Sequence, residues 1–446
     1  MNLHTLLLQR HAAGRSVIVG LIGAGKFGAM FLAQARVTPG LHIAGLADLD
    51  VARARRQLKD VGWPPEACSA ASLAEAVKTG ALHVSADSET LIADPRVEVV
   101  IEATGVPTAG IRHALAAIAH GKDIIMVNVE ADAVAGPLLV RKAKAAGVVY
   151  SLAWGDQPAL ICEHVDWARA CGFEVIAAGK GTRYEPHYHQ STPETLWNIL
   201  DRYLQITDRA SINPKMFNSF IDGSKSAIEM TAVCNATGLV PPSNGLGFPP
   251  ASRFELADIC KPSSEGGALE KAGVTEVVSS VYRDGRDVPH HLALGTYVVI
   301  KAESDYARRC FKEYAMLPDQ SGRYAALYRP IHMIGLELGI SVASVALRKE
   351  PTGAPTGFRS DAIATAKRPL KRGELLDGEG GFCVWGKQTP APDSLRANLL
   401  PLGLAHEVKL VRDVAQGRQL TWDDVAYDTD NIAVKIRREM EAMFSS

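Results

Sequence analysis

The sequence is poor in anything that would staple a fold from outside. Its seven cysteines (Cys68, Cys162, Cys171, Cys234, Cys260, Cys310, Cys383) lie far apart, and no two stand in CxxC spacing. An odd, scattered set excludes a disulfide framework and a structural zinc site, and fits a reducing cytoplasm, the expected location. Charge of one sign is also missing: 48 basic against 49 acidic residues leave a net charge of -1. No field is left to hold a nucleic acid or an anionic membrane. Long apolar runs are absent too. The leading leucines are interrupted at Gln9, Arg10 and His11, which is too short for a secretory core, and no later run approaches a membrane span. Leu3, Leu6, Leu7 and Leu8 read as one face of a short helix instead. The expected partners are small molecules and further copies of the chain, as a homodimer or higher homo-oligomer.

What is present is a rhythm. At 446 residues the chain exceeds one ordinary core. From Ser16 to Ala153, aliphatic runs (SVIVGLI, LHIAGLA, VEVVIEA, DIIMVNV, VVYSLA) alternate with helical periodicity. Continuous Val/Ile runs mark strands buried on both faces, so residues 1–155 are expected to form an α/β, doubly wound parallel sheet. Residues 156–348 mix helices and strands as an α+β catalytic and oligomerisation domain. Its last stretch, PIHMIGLELGISVASVAL, reads as a closing helix that Pro330 would start and that is able to pack back onto the first domain. KEPTGAPTGF reads as a linker, and residues 349–446 as a small β-rich third unit.

The strongest motif follows the first strand. Gly23, Gly25 and Gly28, with Ala24, Lys26 and Phe27 between them, have G-x-G-x-x-G spacing. These glycines allow a tight turn, close approach of a pyrophosphate, and close helix packing that aims N–H groups at the phosphates. Asp48 ends the second strand twenty residues after Gly28, where an acid accepts from ribose hydroxyls. Strand, turn, helix, strand and acid in order specify a dinucleotide site. Asp48 favours NAD, whereas Arg53, Arg55 and Arg56 are able to cradle the 2′-phosphate of NADP, so the residues leave that choice open. Thr104-Gly105 and Asn128 close later strands on the same carboxyl edge; they border the nicotinamide or cap helices.

Three polar clusters are the candidates for chemistry. Lys180, Arg183 and His187 crowd the end of a strand reading, suited to a phosphate or carboxylate. His187 and His189 are alternatively acids or metal ligands. The bland reading there is a solvated loop in which Ser191 and Glu194 form a capping box for the helix that follows. Asp222, Lys225 and Glu229 fall on one stripe of a helix starting near Gly223. A lysine between two acids protonates or polarises a carbonyl oxygen, or the acids bind a divalent ion; the bland reading is surface ion pairing, which the apolar flanks disfavour. Arg329 reaches a phosphate or ties two domains together. His290-His291 reads as structural.

The Rossmann start, mixed second domain and closing helix resemble homoserine dehydrogenase. The segment SDAIATAKRPLKRGELLDGEGGFCVWGK resembles a SAF-type domain. The three-part arrangement, over the whole length, resembles the DXR-like 1-deoxy-D-xylulose 5-phosphate reductoisomerases of alphaproteobacteria. That resemblance implies NADPH, a divalent cation (Mg²⁺ or Mn²⁺), rearrangement and reduction to 2-C-methyl-D-erythritol 4-phosphate in isoprenoid precursor synthesis, and inhibition by fosmidomycin. The chain departs from these families at Asn128-Val129, where they carry Asn-Lys; Lys225 or Lys180 would take over that role. The usual acidic metal motif is not recognisable, so metal ligands are unassigned. Two other readings remain: a plain dehydrogenase for homoserine or another small, phosphorylated substrate, and a non-catalytic dinucleotide sensor. The charged stripe on an apolar helix weighs against the sensor.

Overall fold

A computed structural model describes residues 2–202, 209 and 213–445. They pack as two compact units, 1–160 with 333–355, and 161–332 with 356–446.

The first unit is built on six parallel strands: β1 (Val17–Ile22), β2 (Leu41–Ala47), β3 (His83–Ser85), β4 (Val99–Glu102), β5 (Asp123–Met126) and β6 (Tyr150–Leu152). Their order is β3-β2-β1-β4-β5-β6, the doubly wound arrangement that the aliphatic runs predict. Strand β3 is an addition to the five runs: it is three residues long with only Val84 buried, too short to carry a pattern. The N-terminal helix Leu3–Ala12 buries Leu3 and Leu7 against Ala343. Leu8 is exposed, because 3.6 residues per turn carry it off the Leu3/Leu7 stripe.

The closing helix needs a correction. It runs only over Gly339–Arg348: Pro330 begins no helix, residues 334–338 form turns, and Gly335 takes φ +75°, outside the helical range. Leu338, Val342 and Val345 pack into the same core as Val19, Leu21 and Ile101. The Pro/Gly stretch beyond is tied to β6: Leu152 N–H donates to Gly353 O at 2.7 Å, and Thr352 Oγ1 donates to Leu152 O at 2.8 Å.

The second unit holds a four-stranded sheet of β7 (Glu174–Thr182), β8 (Val274–Ser279), β9 (Thr296–Lys301) and β10 (Tyr324–Arg329), ordered β10-β9-β7-β8. One face carries the helices Gln157–Ala170 and Ser224–Thr237, whose Ile161, Val165, Met230 and Val233 pack on Val175, Ala178, Val298 and Ile300. The other face buries Ile176, Tyr297, Val299 and Ala326 under Leu256 and Cys260. Strands β11 (Ser360–Ala366) and β13 (Val384–Pro390) pair antiparallel, beside a small sheet of β12 (Leu375–Asp377), β14 (His406–Leu410) and β15 (Val425–Ala426). The sequence divides residues 349–446 from those before them, yet by packing residues 356–446 group with 161–332. Asn235, on the helix Ser224–Thr237, accounts for part of that: its Oδ1 accepts from Arg359 N–H and Ser360 N–H, and its Nδ2 donates to Ser360 O. No helix among the described residues is long and apolar enough to cross a membrane, and all seven cysteines are free thiols.

The C-terminal helix Ile432–Phe444 is anchored by a guanidinium. Arg437 is fully buried, pairs with the buried Asp361, and donates to Glu441 at 2.8 Å. Removing one member of a buried pair leaves the other charge uncompensated, a cost of about 3–5 kcal/mol. Asp361→Ala is therefore expected to lower unfolding stability by about that amount in urea titrations. A change under about 1 kcal/mol would show that Glu441 suffices.

Candidate functional site

The turn after β1 has the shape its glycines require. Gly23 adopts φ +100°, and a Cβ there would lie 2.6 Å from Ala103 O. A Cβ on Gly28 would lie 2.3 Å from Gly23 O, whereas one on Gly25 would meet nothing within 4 Å. Two glycines thus serve packing and the middle one leaves an open approach. Gly25 is the N-cap of the helix Lys26–Ala35, so unpaired N–H groups face that opening. Asp48 is buried at the end of β2 and accepts from Ala24 N–H at 2.7 Å and Asp50 N–H at 2.8 Å. Arg53 also donates to it at 3.0 Å. Arg55 donates to Cys68 O, and Arg56 is exposed.

On the same strand edge, Thr104 Oγ1 donates to Glu102 Oε1 at 2.5 Å. Asn128 Nδ2 donates to Thr104 Oγ1 at 3.3 Å and to Val106 O at 3.0 Å. Its Oδ1 accepts from Ala131 N–H, so Asn128 caps the helix Val129–Ala145, and Thr104 caps none. Gly105, at φ +69°, is exposed. Glu102 is fully buried, within 3.2 Å of His113 Nδ1.

In the second unit the register gathers separate parts of the sequence. Lys180 lies directly opposite Thr296, and Thr296 directly opposite Arg329. Directly opposed residues share a sheet face. This face is the helix-covered one, since Ala178, Val298 and Leu327, two positions along each strand, lie in its core. Above the row stands His164, whose Nε2 lies 3.1 Å from Thr296 Oγ1. Glu229 forms a buried ion pair with Lys180. Burial, with the charge of Arg329 nearby, pushes His164 down to about 4. It is a neutral imidazole beside two cations.

The other predicted residues are spread around this row. Asp222 is buried and paired with Lys367 at 2.7 Å. Burial raises its carboxyl, and the lysine opposes that rise. Thus Lys180 and Lys367 serve the two acids that the sequence sets around Lys225; Lys225 itself is the second residue of the helix and half-buried. Arg183 donates to Asp287 at 2.7 Å. His187 is exposed, 3.8 Å from Glu185. His189 has both ring nitrogens engaged, by Asp222 O at 2.7 Å and Tyr184 OH at 3.0 Å, which corrects its reading as a ligand. The capping box at Ser191 is likewise not formed: Ser191 Oγ donates to Asn218 Oδ1, and the helix begins at Leu196.

Residues 19–152 match the family model described as homoserine dehydrogenase, NAD binding domain. Residues 155–338 match the one described as oxidoreductase DRL, catalytic domain. The chain is an NAD(P)-dependent oxidoreductase. No curated protein matches the sequence of this oxidoreductase. Among solved structures, a "probable dehydrogenase" from Thermotoga maritima is 11% identical with a TM-score of 0.38, covering 76% of this chain and 91% of that one. A DOX-P reductoisomerase in complex with NADPH, fosmidomycin and magnesium is 18% identical with a TM-score of 0.34, covering 50% and 59%. Biliverdin reductase from Synechocystis sp. PCC 6803 is 17% identical with a TM-score of 0.27, covering 43% and 60%.

The oxidoreductase places in its row two residues that sequence reasoning missed, His164 and Thr296. A signal for His164 was present: it shares the apolar stripe Ile161, Val165, Ala168, and a histidine inside such a stripe needs a partner. Thr296 opens a β-branched run, and its pairing with Lys180 joins strands more than a hundred residues apart, which no local pattern announces. Lys367 was also missed.

Two outcomes are expected. Gly25→Ala should weaken NADPH binding about ten- to a hundredfold, the worth of one charge-assisted hydrogen bond, with an unchanged melting temperature. Gly28→Ala should lower the melting temperature instead; equal melting of both variants would refute the division of roles. The second outcome concerns pH. His164 and His189 both lie near 4 by burial, so each takes up a proton on unfolding between there and about 6.5. Each contributes stability that is present above that window and lost as pH falls through it. Asp132 and Glu276, raised by burial to about 7, act in the opposite sense. The comparison must therefore be between variants: His164→Gln should flatten the stability slope below pH 6.5 by up to about 1.4 kcal/mol per pH unit in urea titrations.

Proposed function

We propose that this oxidoreductase uses NADPH to reduce a small phosphorylated carbonyl compound, and that the substrate is 1-deoxy-D-xylulose 5-phosphate, rearranged and reduced to 2-C-methyl-D-erythritol 4-phosphate. The observation that carries the reading is the row Lys180–Thr296–Arg329 beneath His164, inside the segment that matches an oxidoreductase catalytic domain. A bound nicotinamide supplies the hydride. Lys180 donates a proton to the oxygen that gains charge, and Glu229 holds its ammonium in place. Arg329, with Arg183 as a second anchor, meets the phosphate, for which a guanidinium fork is suited. His164, neutral, orients the Thr296 hydroxyl. For the cofactor, Arg53 covers the charge of Asp48, the acid that otherwise repels a 2′-phosphate, which supports NADPH. The chain is taken to act as a homodimer or larger homo-oligomer.

A divalent cation fits less well. Among the described residues no group of three His, Cys, Asp or Glu side chains is placed to hold a metal ion. Asp222 and Glu229 are neutralised by lysines, so no step is routed through a metal. That pairing favours a second reading, reduction of a phosphorylated carbonyl without rearrangement.

Full-length protein given NADPH, Mn²⁺ and 1-deoxy-D-xylulose 5-phosphate is expected to oxidise the cofactor, with fosmidomycin blocking the loss. Lys180→Gln should lower kcat by about 10²–10⁴. Arg329→Met should raise KM about ten- to a hundredfold with little change in kcat. Cofactor binding without oxidation would overturn the substrate and leave the second reading.

A further inference from the structure

Strand β4 ends on a side chain that a buried strand rarely keeps. Glu102 is fully buried, and among the described residues no lysine or arginine is paired with it. A carboxylate without a counter-cation is costly to bury, so the groups that meet it are informative. Three donors converge on one oxygen: Oε1 accepts from Thr104 Oγ1 at 2.5 Å, from His113 Nδ1 at 3.2 Å and from Thr104 N–H at 3.4 Å. Oε2 meets no donor among the described residues. The imidazole of His113, on the helix Pro107–Ala119, is itself held from behind, with Nε2 3.1 Å from Ser88 Oγ.

What this clamp holds is the turn Ala103–Val106. The Thr104 hydroxyl, its hydrogen given to Glu102, accepts from Asn128 Nδ2 and from Val106 N–H, each at 3.3 Å. One hydroxyl thus joins the ends of β4 and β5 and closes the turn on itself. The turn is pressed against the glycine turn after β1. Ala103 N–H donates to Ile22 O at 2.8 Å, and a Cβ on Gly23 would lie 2.6 Å from Ala103 O and 3.0 Å from Thr104 N. Its outer residues, Gly105 and Val106, are exposed.

We propose that Glu102 is a positioning residue for the nicotinamide end of the cofactor: through the Thr104 hydroxyl it fixes the turn Ala103–Val106 beside the glycine turn. The inference rests on the NADPH reading above. Glu102 is enclosed, so it acts through Thr104 and not by contact. The adenine end, which Gly25 and Arg53 serve, does not depend on the clamp.

The test titrates the full chain with two ligands, followed by calorimetry: NADPH, and 2′-phospho-ADP-ribose, which keeps the adenine and the pyrophosphate but lacks the nicotinamide. Thr104→Val and Glu102→Gln should each weaken NADPH about tenfold, the worth of one hydrogen bond, and change the fragment by less than about twofold. The double variant should bind NADPH no more weakly than the weaker single one, because both changes break the same bond. Equal losses for the two ligands would make the role merely structural and overturn the proposal. So would unchanged NADPH binding in Thr104→Val, or losses that add in the double variant. If Glu102→Gln does not fold, the two titrations of Thr104→Val decide. A wild type that binds neither ligand would overturn the cofactor reading, and this proposal with it.

Discussion

A lysine taken out of water must be met by an acceptor, and two such lysines organise the second half of this protein. Lys180, on β7, is met by Glu229, and Lys367, just past β11, by Asp222. Both acids belong to the helix Ser224–Thr237 or the turn that leads into it. Desolvation of such a pair costs several kcal/mol per ion, so these pairs contribute little net stability; what they contribute is position, because breaking either leaves a bare charge inside. The helix is thereby fixed from the side of the four-stranded sheet and from the side of the C-terminal strands.

That helix explains why the two segments behave as one body. Of its residues from Ser226 to Asn235, each is buried, which is unusual for a helix carrying a glutamate and several hydroxyls. Three of its polar side chains are met by the C-terminal segment: Thr231 by Ser360, Asn235 by Arg359 and Ser360, Ser224 by Gly386. A polar face that would be solvated in an isolated domain is here an interior seam tied by these hydrogen bonds.

The sequence made the first unit readable because its code is local. Strand runs, a glycine turn and a terminal acid follow one another within a short stretch, and each had its expected place in the structure. The site in the second unit was legible only in part. Lys180 stood out in a polar cluster at a strand end, Glu229 on a helix with apolar flanks and Arg329 before the closing helix, but which charge meets which depends on register and on contacts across long separations, such as Lys367 with Asp222. The stripe that set Lys225 between two acids was right about the helix. It did not give Lys180 and Lys367 as the lysines that meet the two acids, since helical spacing describes one element and says nothing of the strand beneath it. The closing helix, read from Pro330, begins only at Gly339: Gly335 takes φ +75°, a backbone turn that apolar periodicity does not announce.

The path of the chain has a consequence for the order of assembly during synthesis. The first unit is interrupted: residues 161–332 belong elsewhere, and only then do 333–355 return. Leu338, Val342 and Val345 fill the core beside β1, and Gly353 caps the edge at β6. The nucleotide-binding half therefore waits with an open hydrophobic flank while the insertion is translated, on the order of 10–30 s at 5–20 residues per second. Ribosome-bound chains in that interval carry an uncovered apolar surface of the kind that favours aggregation.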